Sequence, residues 1–302
     1  MSIEVVRTNA ALGAEVSGID LTHPLSDTGF EQLLNAWHDN LVVLIRGQPL
    51  TDPQLIAFSR RFGDLLPSPA NEVTDKFGGD LDDYPEIAVV SNIMEKGKPI
   101  GALGSGEAFW HTDSSFISRP PAGSFLHSIE VPPSGGDTSF CNMYLAYETL
   151  PEATKSRITG LKALHNFNYV ASGKLRKGAV ETDDPSKGPG AHHPLVRRHP
   201  DTGRTALFLG RRLKSYINGL SIAESEALLD ELWAHATQKR FVWTHQWRAG
   251  DLIIWDNRCT MHQREAFDAS TRRLMHRTQT IGDVPVAAFP DRVAWTSPGM
   301  VA

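Results

Sequence analysis

Short apolar runs alternate with amphipathic segments along the whole chain. The run Val-Val-Leu-Ile at residues 42–45 predicts a buried strand, which ends before the turn at Gly47. Other short β-rich runs bounded by turn residues predict strands at residues 86–91, 123–130, 205–209 and 251–255. Residues 241–247 alternate aromatic side chains and a histidine with smaller or polar residues, which is typical of a strand with two different faces.

Two helices are predicted by their first residues. Thr51 and Gln54 have the spacing of a capping box, with a proline between them that suits a first turn, and this helix is expected to end at Gly63. Ser221 and Glu224 form a second capping box, and apolar residues follow it at helical spacing as far as residue 236. Many short strands with few helices predict a mostly β fold, a sandwich or barrel with flanking helices.

The chain shows no internal repeat and no obvious linker, so we expect one domain spanning residues 1–302. Three stretches, residues 67–84, 95–107 and 172–193, are predicted as mobile loops. The third is rich in Gly, Lys, Asp and Pro and is interpreted as a possible lid over a site, against the alternative of a surface insertion without a role. The tail at residues 284–302 has no clear pattern.

Charge and composition narrow the classes of function. The net charge is −5 and the pI about 6.2, so no basic face indicates nucleic-acid binding. Apolar runs stay well short of the ~18 residues that a membrane span needs, and the amino terminus lacks the apolar core of a secretory signal. Cys141 and Cys259 are too few for a disulfide scaffold, and two free thiols fit a cytoplasmic location.

A candidate metal site begins with His111 and Asp113. Residues two apart on a strand point to the same face, so both side chains could bind one ion. His262, which follows a buried strand and a polar turn, completes the two-histidine, one-carboxylate set of non-haem Fe(II) oxygenases. Spacing alone does not choose the third ligand. The rival histidines are His165, His192, His193, His199 and His276, of which the pair at 192–193 is expected to be solvated in its loop.

Two arginines add candidate anion-binding groups. Residues 273–281 read as a strand whose odd-numbered members share one face, so Arg273 and Arg277 would lie about 13 Å apart on that face. A guanidinium stays charged and binds a carboxylate with two parallel hydrogen bonds. Arg272 has the opposite parity and is expected to face away. The alternative is a pair of surface arginines in salt bridges.

Motifs in the same order along nearly the whole chain resemble one known family. They lie at residues 12–21, 58–63, 110–113, 133–138, 255–262 and 272–277. On these motifs the chain resembles the Fe(II)/2-oxoglutarate-dependent taurine dioxygenase and 2,4-dichlorophenoxyacetate dioxygenase family. The resemblance implies a double-stranded β-helix, or jelly roll, and an oligomer such as a dimer or tetramer.

The resemblance also implies roles for particular residues. His111, Asp113 and His262 correspond to the Fe(II) ligands. Thr138 and Arg273 match the residues that hold the far carboxylate of the co-substrate 2-oxoglutarate, and Arg277 matches the arginine that binds the acidic group of the prime substrate. The implied reaction uses O2, hydroxylates a small organic anion, and releases succinate and CO2.

Some positions depart from the taurine enzyme. Residues 64–70 contain neither the His nor the Tyr found there in that enzyme, whereas residues 199–204 and 236–248, and Gln263, look closer to the phenoxyacetate branch. The predicted substrate is therefore a carboxylate such as a phenoxyalkanoate, cleaved at its ether. An alkylsulfonate or sulfate-ester dioxygenase is the alternative within the family. A zinc hydrolase and a non-catalytic anion-binding jelly roll are the alternatives outside it.

Overall fold

A computed structural model describes residues 3–68 and 84–292 of the chain. Within these ranges most regular elements are short β-strands, as the sequence predicts. The helices are α1 (Asp27–Asn40), α2 (Asp52–Ser59), α3 (Met143–Glu148), α4 (Glu152–Ile158) and α5 (Ile222–Ala236). The strands are β1 (Glu4–Arg7), β2 (Ala14–Ser17), β3 (Val42–Ile45), β4 (Ala88–Ser91), β5 (Met94–Glu95), β6 (Lys98–Pro99), β7 (Ala102–Leu103), β8 (Ala108–His111), β9 (Gly123–Glu130), β10 (Thr138–Asn142), β11 (Lys162–Asn166), β12 (Gly190–Pro194), β13 (Val196–Arg198), β14 (Thr205–Leu207), β15 (Tyr216–Ile217), β16 (Val242–His245), β17 (Leu252–Asp256), β18 (Thr260–Arg264), β19 (Leu274–Gln279) and β20 (Val286–Ala287).

Two sheets form the framework of the fold. The larger has the strand order β1-β2-β3-β17-β9-β19-β4-β7, and the smaller has the order β16-β10-β18-β8. Their facing sides share one apolar core, in which the ring of Phe140 on β10 lies 5.6 Å from that of Trp255 on β17, centroid to centroid. Smaller sheets, β12-β11-β15 and β14-β13-β20, and the hairpin β5-β6 lie outside this pair.

The continuous apolar sequence of the central strands follows from burial on both faces. On β17, Ile253 and Trp255 belong to the core between the sheets, whereas Leu252 and Ile254 belong to a second core. That second core also contains Leu33 of α1, so helices cover the outer side of the large sheet. A strand covered on both faces has no polar face, which is why residues 252–255 lack an alternating pattern.

Both predicted helix starts are confirmed. The backbone N–H of Thr51 donates to Gln54 Oε1 at 2.9 Å, and α2 runs into a 3-10 turn that ends at Gly63. At the start of α5, the backbone N–H of Glu224 donates to Ser221 Oγ at 3.2 Å. Helices α1, α3 and α4 are additional elements that the sequence pattern did not predict.

Several predicted segments differ from the structure. The segment 95–107 is not a bare loop, because β5 and β6 form a hairpin and β7 pairs with β4. In the segment 172–193 the last residues belong to β12, which pairs with β11. The strand predicted over 241–247 is shorter, since residues 239–241 form a 3-10 turn, and the strand predicted over 205–209 ends at Leu207. Residues 69–83 and 293–302 of the predicted loop and tail lie outside the described residues.

No helix in residues 3–68 and 84–292 is both long enough and apolar enough to cross a membrane.

Candidate metal centre

The smaller sheet and the turn that follows β8 bring His111, Asp113 and His262 together. His111 ends β8 and lies directly opposite His262 on the neighbouring strand β18, with ring centroids 4.2 Å apart. Asp113 Oδ1 lies 3.7 Å from His111 Nε2 and 3.9 Å from His262 Nε2. All three side chains are buried, and their potential ligand atoms lie within 4.8 Å of one another. Two strands and the turn after β8 therefore direct three donors at one point.

The backbone of Asp113 is fixed by a side chain from the turn after β17. Its N–H donates to Asn257 Oδ1 at 2.9 Å, and Asn257 Nδ2 donates to the carbonyls of Asp113 at 3.1 Å and Pro121 at 3.0 Å. The next residue, Ser114, has a φ of 44°, so the chain turns sharply here. Asn257 thus holds the turn that presents the carboxylate.

The carboxylate of Asp113 is kept ionised by its neighbours. Burial would raise its pKa, but the charge of Arg277, the two nearby imidazoles and a hydrogen bond from Ser124 together lower the pKa well below its ordinary value. Oδ2 accepts hydrogen bonds from Ser124 Oγ and Gln279 Nε2, both at 3.0 Å. These bonds occupy Oδ2 and leave Oδ1 facing the two histidines.

Both histidines are neutral at physiological pH. Burial lowers the pKa of His262 to about 4 and that of His111 well below its ordinary value. The contact between His111 Nδ1 and the carbonyl of Phe109, at 2.7 Å, requires the proton on Nδ1 and leaves the Nε2 lone pair free. Two neutral imidazoles and one carboxylate are a donor set that binds divalent transition metals, so the residues present fit such an ion.

A second group of side chains lies deeper, around Thr138 and Arg273. Thr138 Oγ1 accepts a hydrogen bond from Trp247 Nε1 at 3.0 Å, and the guanidinium of Arg273 lies 6.0 Å from the Trp247 ring centroid. Arg273 is fully buried, and its Nε and Nη1 have no hydrogen-bond partner among the described residues. Burial, and then the charge of Arg264, lower the pKa of Arg273 to about 9, so the guanidinium is still charged at neutral pH.

Arg277 reaches the candidate metal centre itself. Its Nη1 donates to Asp113 Oδ1 at 3.2 Å, and Gln279, two residues further along β19, bonds the other oxygen of the same carboxylate. The predicted parity of this segment is confirmed, because Arg272 points outwards and donates to Glu130 at 2.7 Å and 3.0 Å. Arg277 Nε is buried and has no partner in the described part of the chain.

The rival histidines lie elsewhere. His165 and His193 pack against the ring of Phe208, with centroids 5.0 Å and 5.3 Å away. His276 contacts Asp52, with 2.5 Å between Nδ1 and Oδ1. The expectation that residues 192 and 193 are both solvated is wrong for His193, because β12 turns that side chain into the interior while its neighbour stays exposed.

His199 belongs to a second buried cluster with Asp256 and Cys259. Asp256 already accepts hydrogen bonds from His199 Nε2 at 2.9 Å and from Arg258 Nε and Nη2 at 2.9 Å and 2.8 Å. The Arg258 charge neutralises the carboxylate that a cation would need, so this cluster is a structural ion-pair network.

Sequence reasoning missed the residues that support the site. Gln279 has the same parity as Arg277, so the strand pattern could have identified it. The strand pattern did not point to Ser124 or Asn257. Arg211 was also missed. Its side chain is partly buried and its backbone pairs with His111 in an isolated bridge, while its Nη1 donates to the Tyr169 carbonyl at 2.7 Å.

A cleft of about 830 Å³ lies beside His111. Its lining is mostly apolar and contains Phe109, Trp110, Leu213 and Trp233, with Arg211 among the charged residues. A cleft of this size and character can hold the apolar body of a small organic molecule next to the metal centre.

Comparisons with known proteins agree with this geometry. The family model "Taurine catabolism dioxygenase TauD, TfdA family" matches residues 4–279. The chain is 36% identical to the alpha-ketoglutarate-dependent 2,4-dichlorophenoxyacetate dioxygenase of Cupriavidus pinatubonensis, over 95% of this chain and 100% of that protein. It is 33% identical to the (S)-phenoxypropionate/alpha-ketoglutarate-dioxygenase of Sphingobium herbicidovorans, over 93% and 96%. It is 32% identical to the alpha-ketoglutarate-dependent sulfate ester dioxygenase of Pseudomonas putida, over 95% and 92%.

A solved structure is also similar. The crystal structure of AAD-2 in complex with Mn(II) and N-oxalylglycine superposes with a TM-score of 0.77 at 31% identity, covering 95% of this chain and 100% of that one. The match of the family model to almost the entire chain, together with these relatives, carries the assignment. The chain belongs to the TauD/TfdA family of alpha-ketoglutarate-dependent dioxygenases.

Proposed function

We propose that the chain is an Fe(II)- and 2-oxoglutarate-dependent dioxygenase that hydroxylates a small organic carboxylate, such as a phenoxyalkanoate. The observation that carries the proposal is the position of Arg277, whose guanidinium contacts Asp113 within the candidate metal centre. An anion bound by Arg277 would present its neighbouring carbon to the metal, and that geometry suits oxidation next to an acidic group.

His111, Asp113 and His262 would hold the Fe(II) on one face and leave the opposite face open. The bound iron would supply activation of O2, the oxidising step that no amino-acid side chain performs. The protein's own contribution is to keep both imidazoles neutral, to keep the carboxylate ionised, and to fix all three donors through surrounding hydrogen bonds.

Thr138 and Arg273 would bind the far carboxylate of 2-oxoglutarate. The guanidinium of Arg273 has buried N–H groups without a partner among the described residues, and burial of an unpaired charge is costly. Because Thr138 Oγ1 already accepts a hydrogen bond from Trp247, its own proton is free to donate to a carboxylate oxygen.

Arg277 would bind the acidic group of the prime substrate. The apolar cleft beside His111 would hold the body of that substrate. In a phenoxyalkanoate the carbon next to the carboxylate also bears the ether oxygen. Hydroxylation of that carbon, with conversion of 2-oxoglutarate and O2 to succinate and CO2, gives a hemiacetal. The hemiacetal collapses to a phenol and an oxo acid, which cleaves the ether.

An alkylsulfonate or a sulfate ester is the second candidate substrate class. One relative carries a sulfate ester in its name, and a guanidinium binds a sulfonate as well as a carboxylate. A zinc hydrolase would use the same three donors but gives no reason for Arg273 and Arg277, which both face the interior.

Three further parts of the proposal concern architecture. We expect the two facing sheets to form a double-stranded β-helix within a single dioxygenase domain of residues 1–302. We expect residues 172–193 to order over the substrate, and the chain to form a dimer or tetramer.

The test is oxygen consumption by the Fe(II)-loaded protein with 2-oxoglutarate and a panel of phenoxyalkanoates, alkylsulfonates and sulfate esters. We expect phenol release from a phenoxyalkanoate with one equivalent of succinate. Turnover confined to sulfonates or sulfate esters would move the second candidate class to first place, and no 2-oxoglutarate-dependent turnover at all would refute the proposal.

A further inference from the structure

Arg264 lies in the interior beside Thr138 and Arg273, the proposed ligands of the co-substrate carboxylate. It ends β18, two residues after His262, and residues two apart on a strand face the same side. Its partner across the sheet is Thr138 on β10. Arg264 therefore projects from the same inner face as the candidate metal ligand His262, next to Thr138.

Arg264 and Arg273 form a buried pair of like charges. Their exposed fractions are 6% and 1%, and their guanidiniums lie 5.4 Å and 5.9 Å from the ring centroid of Phe267. An arginine guanidinium stays protonated at neutral pH, so two positive charges face one small region of the interior.

No acidic side chain of the described residues neutralises this pair. Nε and Nη1 of both arginines are buried without a hydrogen-bond partner among those residues, which leaves four unpaired nitrogens. Buried charges are normally paired, because the cost of removing them from water is otherwise not offset. The arrangement matches an anion with two oxygens, which can accept hydrogen bonds from both planar guanidiniums.

One edge of Arg264 is already anchored. Its Nη2 donates to the carbonyls of Leu103, at 3.3 Å, and of Gly106. These bonds fix the orientation of the guanidinium and leave the Nε and Nη1 positions for a ligand. A pre-oriented donor loses little conformational entropy when the ligand binds.

We propose that Arg264 is a second guanidinium for the far carboxylate of 2-oxoglutarate, which is held between Arg264 and Arg273 with Thr138. This inference rests on the proposed co-substrate role of Arg273. Its consequence is selectivity: a site with two unpaired buried cations favours 2-oxo acids that carry a second carboxylate and rejects 2-oxo acids of the same length that lack it.

The experiment measures binding rather than turnover. Calorimetry on the anaerobic Fe(II)-loaded protein compares 2-oxoglutarate with 2-oxovalerate, which has the same five-carbon chain without the far carboxylate. We expect Arg264→Met to weaken 2-oxoglutarate roughly 10- to 100-fold, the scale of a lost hydrogen bond to a charged group, and to change 2-oxovalerate less than about threefold. Arg264→Lys, which keeps the charge without the planar fork, should give an intermediate loss.

Arg272→Gln is the matched control, because Arg272 directly precedes Arg273 in the chain but faces solvent. Arg273→Met distinguishes a wrong role for Arg264 from a wrong co-substrate site. If Arg273→Met weakens 2-oxoglutarate and neither Arg264 variant does, the role of Arg264 is wrong while the proposed co-substrate site stands. If Arg273→Met leaves 2-oxoglutarate binding intact, the co-substrate site itself is wrong. Equal losses for both acids in the Arg264 variants would overturn the inference, since they would indicate a general disturbance of the site.

Discussion

Replacement of Arg277 by alanine tests how the prime substrate is bound. Arg277 Nη1 lies 3.2 Å from Asp113 Oδ1, and its buried Nε has no partner among the described residues, so the guanidinium has donors left for an anion. A hydrogen bond to a charged group contributes about 1.5–3 kcal/mol, which corresponds to roughly a 10- to 150-fold rise in the KM for the prime substrate. The KM for the co-substrate should change less than about threefold, because its proposed ligands Thr138 and Arg273 are untouched.

The same substitution should alter the pH dependence of metal binding. Among the groups that lower the pKa of Asp113, the charge of Arg277 is the largest. Without it the carboxylate protonates at a higher pH, so metal affinity is lost earlier as the pH falls, while affinity at neutral pH changes little. The assay is steady-state kinetics with both substrates varied, together with metal titration from neutral to acidic pH.

Two variants serve as controls for this prediction. Arg277→Lys keeps the charge near Asp113 and should restore metal affinity at acidic pH. It should restore only part of the substrate affinity, because the planar fork of the guanidinium is lost. Arg273→Ala should give the reciprocal pattern, a raised KM for the co-substrate. Equal effects of Arg277→Ala on both Michaelis constants would refute the assignment of Arg277 to the prime substrate.

Three further predictions concern the metal centre and the ion-pair network. His262→Ala should abolish stoichiometric metal binding measured by titration, and a variant that binds metal normally would identify another histidine as the ligand. Gln279→Leu removes one of two hydrogen bonds to Asp113 Oδ2 and should weaken metal binding by roughly 10- to 100-fold, so unchanged affinity would show that the bonds from Ser124 and Arg277 suffice to orient the carboxylate. Asp256→Asn removes the buried counter-ion of Arg258 and leaves its guanidinium paired only with the exposed Asp201, so it should reduce the free energy of unfolding by about 3 kcal/mol, the lower end for a broken buried pair, in chemical denaturation at neutral pH. Because the pKa of Asp256 is lower in the folded state, this stabilisation is present at neutral pH and lost in acid, and a difference between wild type and variant that persisted undiminished in strong acid would contradict it.

The elements that the sequence predicted well are those with local signals. Capping boxes at Thr51 and Ser221 depend on residues three apart, and both form as expected. The alternation of residues leading into β19 likewise placed Arg272 outside and Arg273 inside from the sequence alone. The hairpin β5-β6 was missed although Lys96 and Gly97 both have positive φ, because lysine is a weak signal for such a turn compared with asparagine.

The residues whose roles could not be predicted from the sequence depend on contacts between distant parts of the chain. Asn257 reaches Asp113 across 144 positions, and the pairing of β12 with β11 decides that His193 is buried. Arg264 follows His262 by two residues, but its significance depends on Thr138 lying opposite and on the absence of a carboxylate partner in the described residues, which only the packed sheets reveal.

The most direct test of the central claim is anaerobic absorption spectroscopy of the Fe(II)-loaded protein during titration with 2-oxoglutarate. If His111, Asp113 and His262 are the protein ligands, positions on the iron would stay open for the co-substrate, so a visible charge-transfer band should grow to one equivalent and shift when the prime substrate binds. The band should be missing from the His262→Ala variant. A wild-type protein that holds one equivalent of iron and develops no band with saturating 2-oxoglutarate would contradict the account.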